Sequence, residues 1–102
     1  MRRVLDGMVY DTYKAVEVCE VFEGNRGDFQ HIDATLYRTK RSKQFFLAGW
    51  GGAMTRFSKR CSDGSYVGSE KIVPLSVEEA RQFAEHNASA EVIEEFFESK
   101  EA

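Results

Sequence analysis

The sequence predicts an α+β fold: an antiparallel β-sheet meander of about four to six strands, followed by two short C-terminal helices packed on one of its faces. Three observations predict it. Apolar residues recur with a period of two through the first three quarters of the chain. Gly, Asn and Asp turn residues punctuate that alternation. From Ser76 onward the apolar residues change to helical spacing among glutamates. The chain has 102 residues, which suits one domain, 1–102, with one modest core.

The elements follow in order. Arg2 to Leu5 and Met8 to Tyr10 flank Asp6-Gly7, a hairpin turn in which glycine takes positive φ without steric cost. Ala15 to Glu23 is a β-branched run ended by the loop Gly24-Asn25-Arg26-Gly27. His31 to Thr39 alternates, with Ile32, Ala34 and Leu36 on one side and Asp33, Thr35 and Tyr37 on the other. The polar turn Lys40-Arg41-Ser42-Lys43 leads to its partner, Gln44 to Trp50, and Gly49, Gly51 and Gly52 are expected to break or bulge that strand. Met54 to Ser58 reads as another short strand, and Ser62 to Ser65 as loop. Lys71 to Leu75 is the last strand, and Pro74 places its end at a sheet edge. Ser76 with Glu79 three residues on is a capping box. Ser89 caps a second helix, in which Val92, Ile93, Phe96 and Phe97 form one apolar face.

Charge is the strongest functional signal. Seven cations and no acid lie between Arg38 and Arg60, whereas eight glutamates against Arg81 and Lys100 lie between Ser76 and Ala102. The net charge is only −3. Such a chain offers two oppositely charged surfaces that can steer and orient partners. A pI near 5.4 argues against a general nucleic-acid coat or a membrane-surface protein. Met1-Arg2-Arg3 opens no apolar stretch of signal length, and no run is long enough to cross a membrane, so the expected location is the cytoplasm. Cys19 and Cys61 follow no metal spacing and read as a reduced pair, with one disulfide the alternative. His31 and His86 stand beside no ligand or catalytic partner at the required spacing. No catalytic residue, metal site or cofactor is predicted.

The candidate partner-binding residues fall in three groups. Arg38, Lys40, Arg41 and Lys43, extended by Arg56, Lys59 and Arg60, form a basic hairpin beside Tyr37, Phe45 and Phe46, able to grip phosphates or an acidic surface. Trp50, flanked by glycines, is the type of residue found at binding hot spots, with core burial the alternative. Glu91, Glu94, Glu95 and Glu98 recur at helical spacings and would suit a basic groove. A solvated helix face and a turn protecting an edge strand are the bland alternatives for the two charged groups.

Three blocks carry a resemblance. They are Tyr10-Asp11-Thr12, then Thr35-Leu36-Tyr37-Arg38-Thr39-Lys40 through Phe45-Phe46-Leu47 to Gly49-Trp50-Gly51-Gly52-Ala53-Met54, and Ile72-Val73-Pro74-Leu75-Ser76 before Glu78-Glu79-Ala80. Together they resemble a family of small α+β proteins carried by phages and conjugative elements of Gram-positive bacteria. Where the family pattern has a polar residue between the glycines this chain has Trp50, so no chemistry of that loop carries over. The resemblance implies a non-enzymatic accessory protein that binds and blocks a host or defence protein, anti-CRISPR inhibition being the leading example. The partner would be a nucleic-acid-handling complex or another host protein. A small nucleic-acid-binding or regulatory module that uses the basic hairpin is the alternative.

Overall fold

The structure, a computed structural model, describes residues 1–102. In chain order its elements are the strands β1 (Arg2–Leu5), β2 (Met8–Asp11), β3 (Val16–Glu23), β4 (Ile32–Arg38), β5 (Phe45–Gly51), β6 (Lys59–Arg60), β7 (Tyr66–Val67) and β8 (Ser69–Leu75), then the helices α1 (Val77–Asn87) and α2 (Ala90–Phe96). Strands β3, β4, β5 and β8 pair in that order as an antiparallel meander, while β1–β2 and β6–β7 are separate hairpins. No helix is long and apolar enough to cross a membrane.

Strand parity splits the core into two layers. Val21, Ala34, Leu36, Phe45, Leu47, Val73 and Leu75 point to one face, where Ala80 and Ala84 of α1 and Phe97 cover them. Phe46, Ala48 and Ile72 point to the other, where the β1–β2 hairpin places Tyr10. Tyr10 meets Phe46 edge-on at 5.3 Å between ring centroids, and Tyr37 stacks on Phe46 at 5.2 Å. The hairpin covers only the half of this face next to the β4–β5 turn. The half that bears Trp50 stays open.

The capping box at Ser76 forms as the sequence predicts, with Glu79 N–H donating to Ser76 Oγ at 3.1 Å and Ser76 N–H to Glu79 Oε1 at 2.9 Å. At the other end of α1, Asn87 Oδ1 accepts from Phe22 N–H at 3.1 Å and its Nδ2 donates to Glu23 Oε2 at 3.2 Å. Helix α1 is thereby tied to the exposed edge of β3. Strand β8 forms the opposite edge, which suits Pro74 because proline has no N–H to offer a further strand.

Two expectations are corrected. Met54 to Ser58 is a succession of turns, because Thr55 Oγ1 bonds to Gly52 O and to Phe57 N–H and no strand lies opposite. Fully buried Phe57 anchors this segment, and Arg56, Phe57 and Ser58 run beside β8, linked to Pro74 O, Ser69 Oγ and Lys71 Nζ. The short strands flank Ser62 to Ser65 instead, where Asp63 Oδ1 accepts from Ser65 N–H at 3.0 Å. The glycines end the strand, which stops at Gly51, but do not bulge it, since β4 and β5 pair regularly through Ile32 and Gly51. The bulge lies in β3 between Glu17 and Cys19, where the apolar alternation slips at Val18-Cys19 so that both side chains pack on the helical layer.

Candidate functional site

The basic stretch is spread over three places. Lys40, Arg41 and Lys43 are exposed on the β4–β5 turn, which Thr39 closes by a backbone bond to Gln44 O at 2.8 Å. Lys43 holds the left-handed φ of 55° that tightens it. Arg38 leaves the turn and lies over the Phe96 ring, 4.7 Å from its centroid, beneath the end of α2. Arg56, on the far side of β8, is ion-paired with Glu79 and bonded to Pro74 O. The turn also gains cations that the sequence did not assign to it. Arg2 of the first hairpin and Lys14 of the turn after it line a shallow cavity of about 330 Å³ together with Arg41, Thr39 and Ser42. Asp11 lies there too and pairs with Arg2 at 3.7 Å.

The acidic group divides as well. Glu91, Glu94, Glu95 and Glu98 are all exposed, and none takes part in an ion pair. Helix α2 ends at Phe96, however, so the expected helical face shared by Glu91, Glu95 and Glu98 does not reach Glu98. Phe97 turns extended, at φ −132° and ψ 145°, to stack on Phe45 with 4.9 Å between centroids. Glu98 is carried past the helix into a cavity lined by Arg38, Lys43 and Arg81. Glu91, Glu94 and Glu95 remain as an outward ridge held from behind by Val92, Ile93, Phe96 and Phe97.

Trp50 is 41% exposed at the open end of the sheet. The register sets Phe22 opposite Asp33, Asp33 opposite Trp50, and Trp50 opposite Glu70. One row across all four strands thus reads aromatic, acid, aromatic, acid. His31 shares this face and is only 3% exposed. Its ring lies 5.0 Å from Phe22 and 5.9 Å from Trp50, centroid to centroid. Its Nδ1 is bonded to the carbonyl oxygen of Glu23 at 3.2 Å, and Nε2 has no hydrogen-bond partner. A Cβ on Gly68 would stand 2.5 Å from Trp50 Cζ2, so only glycine lets the indole lie against that backbone. Phe22, Asp33 and Glu70 are not singled out by the sequence, and His31 is weighed there only as a base or ligand. The parity of Asp33 and Trp50 was readable, but their adjacency depends on the pairing of distant segments.

The three groups are thus a basic turn, an acidic ridge and an aromatic–carboxylate row, on an α+β meander. Comparison with protein-family models, curated proteins and solved structures finds no match.

Proposed function

We propose that this chain is a non-enzymatic interaction protein, an accessory protein of a phage or mobile element that binds a host or defence protein and blocks one of its functional surfaces, as anti-CRISPR inhibitors do. The observation that carries this reading is the α2 ridge. Three glutamates face solvent without cation partners, on a helix whose opposite side packs Val92, Ile93 and Phe96 on the core and whose end is anchored by the Phe97–Phe45 stack. Like charges spaced by four residues, as in Glu91 and Glu95, weaken a helix by a few tenths of a kcal/mol. Glu91 in the first turn suits the helix dipole, but Glu94 and Glu95 gain nothing from it and do not serve stability, and a ridge already mounted on the sheet lowers the ordering cost of docking on a basic surface.

The test replaces Glu91, Glu94 and Glu95 together by Gln. Helix propensity stays roughly constant, and the lost dipole interaction of Glu91 offsets the relieved Glu91–Glu95 repulsion, so the melting temperature is expected to stay nearly level. Affinity capture from bacterial host cells, run with wild type and variant side by side, is expected to recover a host protein with the wild type and lose it with the variant. Equal recovery by both would move the contact away from α2.

A nucleic-acid-binding or regulatory module is the second reading. One observation favours it: Arg2 and Lys14 join Arg41 around one cavity, which enlarges the basic end beyond the turn itself.

A further inference from the structure

We propose that the Trp50 row is a docking site for an arginine side chain carried on an exposed segment of a partner protein. The inference rests on the preceding reading only in taking the partner to be a protein. It concerns the sheet face opposite the helices.

The row selects its occupant by chemistry. Residues directly opposite on neighbouring strands have Cβ atoms about 5 Å apart, so Trp50 has a carboxylate on either side. Neither Asp33 nor Glu70 has an ion-pair partner within the molecule. The indole face attracts a cation, and a planar guanidinium stacks on it better than an ammonium. Buried His31 packs against both Phe22 and Trp50 and so holds the two rings of the row in place. Beyond Trp50, Phe29, Ala53, Tyr66 and Val67 line a groove of about 270 Å³ with mainly apolar walls, suited to an aliphatic stem.

Other occupants fit less well. A neutral apolar segment would bury Asp33 and Glu70 without compensation. A nucleic-acid strand needs cations along its backbone beside the stacking rings, and this row supplies carboxylates in their place.

Trp50 is the only tryptophan of the chain, so its fluorescence reports on the site directly. The probe is a short peptide of alternating Gly and Arg, compared with equal-length peptides bearing Lys or neutral citrulline. The arginine peptide is expected to give a saturable change, the lysine peptide a weaker one, and the citrulline peptide none. Asp33→Asn combined with Glu70→Gln is expected to weaken arginine-peptide binding by roughly tenfold, with an unchanged melting temperature because both side chains are exposed. In the unliganded wild type, quenching of Trp50 relative to free N-acetyltryptophanamide is expected to be greater for cationic caesium than for anionic iodide, and the same double variant is expected to remove that preference. The α2 triple Gln variant is expected to bind the arginine peptide as the wild type does, so loss of the ridge and loss of this site are separable. The proposal is overturned by equal binding of the citrulline peptide, by absence of saturation with arginine, by an unaffected double variant, or by a single-stranded oligonucleotide that saturates the same signal.

Discussion

At the scale of the residue, Phe97 decides how the helical layer is held. Phe97 is 6% exposed and stacked flat on Phe45, whereas Phe96 is half-buried and capped by Arg38. Phe97→Ala is expected to cost about 3 kcal/mol, read as a lower urea midpoint at unchanged slope, and Phe96→Ala distinctly less. The sequence placed both rings on the apolar face of α2. It held no sign that Phe97 would leave the helix to reach Phe45, since that contact joins positions 52 residues apart. Trp50 shows the same limit. Its parity, opposite to Phe45 and Leu47, was legible from alternation alone. Its neighbours Asp33 and Glu70 come from two different strand pairings, and those are fixed only when the whole meander forms. Cys19 also takes its character from context. Burial, with Glu17 nearby, pushes its thiol above the usual range, as suits a packing residue rather than a nucleophile.

At the scale of the element, the start of α1 was the most legible part of the chain, because a capping box is written in consecutive residues. The structure adds Arg56, which reaches from the turn segment beside β8 to the same Glu79 carboxylate. Glu79 is held below the usual carboxylate range, chiefly because the Ser76 backbone N–H donates to it, with the Ser76 hydroxyl and Arg56 adding to the effect. A carboxylate with a depressed folded-state pKa contributes stability above its unfolded value and loses that contribution as pH falls through the folded value. Ser76→Ala is expected to lower stability by about 1 kcal/mol at neutral pH. Glu79→Gln is expected to flatten the acid limb of a stability–pH profile below the ordinary glutamate range, and an unchanged limb would assign acid sensitivity elsewhere. The misread elements were short ones. Lys59–Arg60 and Tyr66–Val67 are too brief to carry an alternation signal, and Met54 to Ser58 mimics a strand because Phe57 and its neighbours anchor an edge-covering loop.

At the scale of the whole molecule, the charge pattern read from the sequence becomes a spatial one with three regions. The helical layer carries the unpaired glutamates, the open sheet face carries Asp33 and Glu70 around Trp50, and the turn end gathers Lys40, Arg41 and Lys43 with Arg2 and Lys14. A basic partner drawn to the acidic surfaces would be repelled by that end, which therefore acts as an orienting pole. Changing Arg41 and Lys43 together to Glu removes two positive charges and adds two negative ones, taking the net charge from −3 to −7. Both side chains are exposed, so stability is expected to stay within about 0.5 kcal/mol. Lys43→Glu keeps a side chain at positive φ and adds no new backbone demand. With a basic protein partner the double variant is expected to associate faster than wild type at low salt, and the advantage is expected to vanish as salt rises. Slower association would instead place the basic turn in the contact. If the wild type binds an oligonucleotide with a steep salt dependence and the double variant does not, the turn end is a phosphate-gripping surface and the nucleic-acid reading replaces the leading one.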